Sequence, residues 1–372
     1  MGSMPERERL TQPSILLVTG SLQGGGAERV LSEMANYWAK KGWAVAFATW
    51  SGSETDDFYE LDPRVNRVRL DVATPGGFIL GQLKSTLLRI FALRKLLTDL
   101  DPDAVLSFIH ISNVLTILAA TGLRTKVVVS ERMEPAADPT VSSGWRLLRR
   151  ISYAWSDEIV AQSKDAARWI RRYCRKEPII IPNPLRSLPQ LESERQPLIV
   201  AVGRLVNQKG FDLLLTAFAK IASDFSDWNV VIIGEGNERD NLLRLCDELS
   251  LATRVQFVGQ VRDVESWMSR AGLVVQPSRL EGFPNVLLES MGMGAPVISA
   301  DCRSGPADMI QDGVNGRLVP VEDVTTLAQV MAELMAEPKL RESLGREATK
   351  VRQSFRQDLI MDRWEKCLRG SQ

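Results

Sequence analysis

Short runs rich in branched apolar residues alternate with stretches of helical periodicity along almost the whole chain. In the first half the apolar runs are SILLVTG, WAVAFATW, RVRLDV, AVLSFI, KVVVSE, EIVAQS and PIIIP. Most are continuous blocks without the in–out alternation of a half-exposed strand, as expected of parallel strands covered on both faces. The interval PNPLRSLPQLESERQP (Pro182–Pro197) is rich in proline and polar residues and reads as a linker. The alternation then restarts with LIVAVGRL, NVVIIGEG, RVQFVGQV, LVVQPS and PVISAD. This pattern predicts an α/β protein with two domains in tandem, each a doubly wound parallel sheet. Phe355–Leu368 closes the chain as a last helical segment. Ligands of such sheets sit beyond the carboxyl ends of the strands, so the residues directly after each strand are the first candidates for chemistry.

One stretch has the length of a membrane span: Ala104–Leu123 is free of charge when His110 is neutral. Ser107, His110, Ser112 and Asn113 cluster near its middle, where burial in lipid is expensive. It is predicted instead as a strand (Ala104–Ile109), a polar turn and a helix starting near Asn113.

Length and composition agree with two globular domains: 372 residues exceed one ordinary core, and 44% hydrophobic with 25% charged residues excludes disorder. Lys+Arg and Asp+Glu are both 46, so net charge identifies no partner, and nothing points to nucleic acid. Residues 1–190 hold 25 basic and 20 acidic residues and the remainder 21 and 26. That turns the first half toward an anionic partner, or is chance scatter of a few charges. The four cysteines (174, 246, 302, 367) are far apart and form no CxxC, which suits a reducing compartment and argues against a zinc site or disulfide scaffold. MGSMPERERL lacks the apolar core of a secretion signal, and Met-Gly-Ser before a second Met reads as an expression scar.

Three stretches carry chemistry. After the first strand, Gly24, Gly25 and Gly26 precede a helix beginning near Ala27, an arrangement that brings backbone N–H groups to an anion, or a flexible turn. After the first strand of the second half, GRLVNQKG places Arg204 and Lys209 five positions apart across a turn, a fork and a point charge suited to one diphosphate, or two solvated cations. GEGNERD opens like a dinucleotide fingerprint, but Arg239 stands where the third glycine belongs. The third stretch is PSRLEGFPNVLLESMGMGAP. Here Glu281 lies in a loop, Pro284 suits a first helical turn, and Glu289 lies within an apolar helix. Backbone N–H groups from Phe283 to Asn285 can face a phosphate, and carboxylates are natural partners for sugar hydroxyls. DLDPD (Asp99–Asp103) precedes a strand and reads as a turn.

Taken together, Glu281-x7-Glu289, GR-x4-KG (Arg204 to Gly210) and GG-x-ER (Gly25 to Arg29) resemble the retaining glycosyltransferases of family four, over essentially the whole chain. The resemblance implies the GT-B fold: a Rossmann-like acceptor domain (1–185), a Rossmann-like donor domain (186–354) facing it across a cleft, and a C-terminal helix (355–372) crossing back. It also implies a nucleotide-diphospho-sugar donor, UDP-linked as the family-based choice, carrying a hexose or N-acetylhexosamine, with no metal or other cofactor. Carried over residue by residue, Arg204 and Lys209 hold the diphosphate, Glu281 the donor sugar and Glu289 the ribose. Gly25 and Gly26 sit near the leaving phosphate, and His110, the one histidine, stands after the fourth strand near the donor sugar, a catalytic position together with Glu281.

Two segments bear on the acceptor. In WRLLRRISYAW, Leu147, Leu148, Ile151 and Trp155 share one helical arc, with Arg146, Arg149 and Arg150 on the opposite one. In RWIRRYCRK, Trp169, Ile170, Tyr173 and Cys174 stand opposite Arg168, Arg171, Arg172 and Arg175. A basic face with tryptophan at its margin suits an anionic membrane surface or a lipid diphosphate. The ordinary alternative sends the apolar arc to the core and the arginines to water. SERMEP (Ser130–Pro135) resembles a segment of bacterial polysaccharide and lipid-linked oligosaccharide transferases, which places Glu131 and Arg132 toward the acceptor. The expectation is a peripheral enzyme on the inner face of the cell membrane that extends a polyprenyl-diphosphate-linked glycan. The competing readings are a soluble acceptor, a sugar phosphorylase, or a GT-B-shaped partner subunit with a degenerate site.

Overall fold

A computed structural model of the chain describes residues 12–51, 57–72, 79–133, 141–189 and 194–369, with residues 79–83 described in their backbone only. Its residues divide into two compact units: those up to Pro182 together with Ile360 onward, and Asn183–Leu359. Glu134 and Pro135 of the SERMEP segment, the whole amino-terminal decapeptide and residue 11, and residues 190–193 of the expected linker lie outside the described residues.

The first unit is built on strands β1 (Ser14–Thr19), β2 (Ala44–Thr49), β3 (Asn66–Arg69), β4 (Ala104–Phe108), β5 (Lys126–Glu131), β6 (Glu158–Ala161) and β7 (Ile179–Ile180). They form one sheet in the order β3-β2-β1-β4-β5-β6-β7, parallel throughout. Helices α1 (Gly26–Lys40), α2 (Ile79–Leu100), α3 (His110–Ala120), α4 (Ser143–Ser152) and α5 (Lys164–Cys174) make the connections. The continuous apolar runs have the expected cause. Ile15 and Leu17 of β1 enter one core cluster while Leu16 and Val18 enter another, so both faces of the sheet are covered.

The span-length stretch Ala104–Leu123 is a strand and a helix. The expected polar turn is absent: α3 begins at His110, with Ile109 alone between it and β4. Asn113 lies buried inside the helix, accepting from Ser107 Oγ at 2.8 Å and donating to the Ser130 carbonyl at 3.0 Å and Tyr153 Oη at 2.8 Å. These bonds make a polar residue tolerable there, which the sequence pattern could not convey. Among the described residues, no helix is long and apolar enough to cross a membrane.

The second unit repeats the plan. Strands β8 (Gln196–Val202), β9 (Asn229–Ile233), β10 (Val255–Gly259), β11 (Ala271–Gln276), β12 (Val297–Ala300) and β13 (Arg317–Val319) run parallel in the order β10-β9-β8-β11-β12-β13. The last of these escapes the hydrophobic pattern because three residues between Gly316 and Pro320 are too short to form an apolar run. Helices α6 (Phe211–Ala219), α7 (Arg239–Glu248), α8 (Val264–Arg270), α9 (Asn285–Gly292), α10 (Pro306–Met309), α11 (Val324–Ala336), α12 (Pro338–Ala348) and α13 (Val351–Ser354) belong to this unit. Ile199 and Ala201 face one cluster and Val200 the other, so this sheet too is covered on both faces.

The final helix, α14 (Gln357–Arg369), packs with the first unit from Ile360 onward. Ile360, Met361, Trp364, Cys367 and Leu368 enter the cluster that contains Ile15, Leu17, Trp38 and Phe108. Trp364 is 1% exposed, its ring centroid 6.1 Å from that of Phe108. Lys41 Nζ pairs with Glu365 Oε1 at 2.7 Å, and Lys126 Nζ donates to the Cys367 carbonyl at 2.6 Å. Truncating Trp364 to alanine is expected to cost ~3–5 kcal/mol by loss of buried area and the cavity left behind. Urea denaturation measures it. A loss below about 1 kcal/mol, the range of unremarkable surface changes, would mean that the helix contributes no core.

Candidate active site

In a doubly wound sheet the ligand crevice forms where the strand order reverses. In the second unit that point lies between β8 and β11, and both of the expected donor motifs follow these two strands. The loop after β8 carries Arg204 and Lys209, and the loop after β11 carries Glu281. The loops are stitched together by hydrogen bonds. Arg279 N donates to the Gln208 carbonyl and Gln208 Nε2 to the Leu280 carbonyl, both at 2.8 Å. Arg279 Nη1 reaches the Asn207 carbonyl at 2.8 Å, and its guanidinium pairs with Asp212 of α6 at 2.7 Å. Gly210 has φ +68, and a Cβ there would overlap the carbonyl oxygen of Pro277, so glycine alone lets the loops meet. The glycines of GEGNERD have a similar packing role: Cβ atoms at Gly234 and Gly236 would overlap the carbonyls of Gly203 and Leu205.

Glu281 is the centre of this arrangement. It is 5% exposed, and its Oε1 accepts from Lys209 Nζ, Gln276 Nε2 and Ser278 Oγ, each at 2.6 Å. Lys209 reaches it with its stem against Gly203, whose Cβ would lie 3.4 Å from three of the lysine's carbons. Burial, and then the charge of Glu281, push the Cys302 thiol up to about 12, which makes it a poor nucleophile. Arg204 is exposed, with no ion-pair partner among the described residues.

Pro284 is the N-cap of α9 rather than its first helical residue, and no side chain caps that end. Phe283 points into the core, 7% exposed and 6.0 Å from the Phe355 ring, so only its backbone is available to a ligand. Ser304 Oγ donates to the Gly282 carbonyl at 3.1 Å and steadies the loop from behind. Asn285 Oδ1 accepts from Asn183 Nδ2 at 2.6 Å. Glu289, 4% exposed, lies with its Oε1 3.2 Å from Arg186 Nε.

The switch point of the first sheet lies between β1 and β4, and the glycine loop and His110 follow these strands. Gly25 is the N-cap of α1, and the Glu28 carboxylate folds over it, held by Ser21 Oγ at 3.1 Å. Gly26 is the first residue of that helix. Tyr59 Oη donates to the Gly25 carbonyl at 3.2 Å. His110 is half-buried at the start of α3. It follows Ile109 at φ 74, ψ 137, a region that costs a β-branched residue ~1–3 kcal/mol and that the surrounding fold must enforce.

Glu131 and Arg132 end β5 and lie deeper than an acceptor contact suggests, at 3% and 6% exposed. Glu131 Oε1 accepts from Tyr153 Oη at 2.5 Å and stands 3.6 Å from Arg149 Nη1. Burial, and then the Glu131 charge, hold the Tyr153 phenol well above its ordinary pKa, so it remains a donor. The Arg132 guanidinium lies 4.0 Å from the Phe108 ring centroid, and burial lowers its pKa to about 9.

Arg149 requires a correction. Expected on the outward basic face of α4, it is 1% exposed, bound to Glu131 and lying 4.4 Å over the Trp169 ring. The buried face of the segment is Arg149, Ser152, Tyr153 and Ser156, at helical spacing, because Glu131 at the end of β5 requires partners. The apolar arc is consequently turned outward: Leu147, Leu148, Ile151 and Trp155 are 58%, 44%, 49% and 60% exposed. Arg146, Arg150, Arg168, Arg171 and Arg172 are exposed. Arg168 pairs with Asp165, and Arg171 Nε donates to Glu177 at 2.7 Å. Arg150 and Arg172 lie over the two sides of the α4–α5 junction at Tyr173, 4.6 and 5.4 Å from its ring centroid.

Sequence reasoning missed Gln276, Ser278, Arg186, Asn113 and Tyr153. A glutamine closing the apolar strand LVVQPS was a usable signal for the first two. Arg186, in a polar, proline-rich interval, carried none. Among the described residues no three His, Cys, Asp or Glu side chains are grouped to hold a metal ion.

Comparison with known proteins now bears on this geometry. Residues 24–186 match the model of Glycosyltransferase Family 4, and residues 187–351 that of Glycosyl transferases group 1. A Campylobacter jejuni N-acetylgalactosaminyltransferase acting on a diphospho-undecaprenol-linked glycan is 28% identical over 95% of this chain and 98% of its own. An amylovoran biosynthesis glycosyltransferase of Erwinia amylovora is 22% identical over 95% and 99%. The solved sucrose-phosphate synthase of Thermosynechococcus elongatus superposes with a TM-score of 0.84 at 20% identity, over 96% of this chain and 98% of that one. With two parallel doubly wound sheets and these matches joined end to end along residues 24–351, the chain belongs to the GT-B glycosyltransferases of the family-four type.

Proposed function

We propose that this glycosyltransferase moves a hexose or N-acetylhexosamine, with retention, from a UDP-linked donor to a polyprenyl-diphosphate-linked glycan at the inner face of the cell membrane. The observation that carries the donor half is the buried contact of Lys209 with Glu281, 2.6 Å long, at the switch point of the second sheet. It joins a cation for the diphosphate to an acid for the sugar. The acceptor class is supported by the Campylobacter relative, whose name specifies an undecaprenyl-diphosphate-linked glycan and which aligns along nearly all of both chains.

In this reading Arg204 and Lys209 meet the diphosphate, two cations at ~4 Å being worth several kcal/mol at an effective dielectric of ~20 before desolvation. The end of α9 that no side chain caps offers the backbone N–H groups of Phe283 and Asn285, either side of Pro284, to phosphate oxygens. Glu281 accepts hydrogen bonds from hydroxyls of the donor sugar, and Glu289 from those of the ribose. The acceptor hydroxyl attacks the anomeric carbon on the face from which the diphosphate leaves. As the new carbon–oxygen bond forms and the bond to phosphate breaks, the departing phosphate oxygen takes the hydroxyl proton. The protein contributes position and a fixed field for the leaving charge.

The membrane contact is assigned to the outward face of α4. Keeping four large apolar side chains half exposed forgoes on the order of 1 kcal/mol each, and an exposed apolar face on a helix that also carries the exposed Arg146 and Arg150 matches an anionic bilayer surface.

Saturating UDP is expected to raise the melting temperature by several degrees, unchanged by EDTA. Glu281→Gln should keep the fold and lower transfer at least ~100-fold. No shift with UDP would remove the donor assignment, and transfer near the wild-type rate would remove Glu281 from the site. Serine at Leu147, Leu148, Ile151 and Trp155 should abolish cosedimentation with phosphatidylglycerol vesicles. Unaltered binding by that variant would refute the assignment of α4 to the membrane.

A further inference from the structure

The segment that opens the second unit, Asn183–Leu188, lies along one face of α9. Asn183 Nδ2 donates to Asn285 Oδ1 at 2.6 Å. Arg186 engages Glu289 at two points, Nε 3.2 Å from Oε1 and Nη2 3.5 Å from Oε2. Leu185 and Leu188 cover Gly292 so closely that a Cβ there would lie 3.0 and 2.7 Å from them. Positions 285, 289 and 292 are spaced four and three apart, which is one face of a helix. The strap is fixed at its other side by Leu185 N, which donates to the Phe355 carbonyl at 2.7 Å.

Arg186 is the polar centre of this strap. Its guanidinium also contacts the carboxylate of Glu265 on α8, so one cation holds two buried acids, Glu265 being 8% exposed and Glu289 4%. A carboxylate that deep is costly unless a partner satisfies it, and removal of one partner leaves the charge stranded. The guanidinium lies against both oxygens, with hydrogen-bond geometry at Nη2 alone, and its planar spread constrains the carboxylate more than a lysine ammonium does. Arg186 therefore contributes to the orientation of the Glu289 carboxylate.

We infer that Arg186 is a positioning residue for ribose recognition: it holds Glu289 aimed, without itself touching the donor. The inference rests on the reading of Glu289 as the ribose acid. Neither Arg186 nor its segment belongs to the family-like motifs that suggested the site.

The test compares UDP with 2′-deoxy-UDP by isothermal titration on the full chain. Wild type is expected to prefer UDP by at least ~10-fold, the value of a hydrogen bond to a charged group. Arg186→Met should reduce that preference to within about 2-fold while still binding both nucleotides through the diphosphate. Arg186→Lys, which keeps the charge and loses the fork, should fall between, and it carries the test if the methionine variant does not fold. A purely structural Arg186 would weaken both nucleotides alike and leave the preference intact in either variant, which overturns the inference while the ribose reading of Glu289 stands. Absence of preference in wild type overturns both.

Discussion

A carboxylate removed from water must be met by cations or by several hydrogen-bond donors, and the second unit buries three, Glu265, Glu281 and Glu289. Glu281 is met by Lys209, Gln276 and Ser278, and Glu289 by Arg186. These partners come from β8's loop, from the end of β11 and from the segment that opens the unit, so satisfying two charges ties three separated stretches into one place. The glycines at 210, 234 and 236 serve the same end, since any side chain would hold the loops apart. The polar groups of these loops and of α9 are thus held in place by one another.

The first unit follows the same rule with an unexpected consequence. Glu131 is buried at the end of β5, and α4 turns Arg149 and Tyr153 inward to meet it. A helix whose polar residues are needed by the core must present its apolar ones to the outside. The surface of α4 is therefore a by-product of an interior charge, which leaves its leucines, isoleucine and tryptophan exposed. The link also joins two candidate roles physically, because the residue expected near the acceptor anchors the helix assigned to the bilayer.

Twelve of the strands, the pairing of two doubly wound sheets and the closing helix follow from continuous apolar runs and their spacing, since a parallel strand buried on both faces leaves little choice of residue. β13 does not, because three residues carry no period. Residues 204, 209 and 281 were legible because they follow strands, where open α/β sheets bind their ligands, and Glu289 because a charge stands out in an apolar helix. Their partners were less so. Gln276 could be suspected as a polar end to an apolar strand, whereas Arg186 sits 103 positions from Glu289 in polar sequence that offers no period and no motif.

What the sequence determined by itself is everything that depends on near neighbours: period, strand ends, the glycines that permit tight approach and the class of ligand those loops suit. Tertiary structure decided which charges are buried and what meets them. Arg149 and Arg150 are adjacent arginines on one helix, yet one is sealed against Glu131 and the other lies in solvent. Helical spacing separates apolar from polar faces but cannot say which face turns inward. That choice is set by the desolvation of a carboxylate on another element, a cost that appears only when the chain is folded.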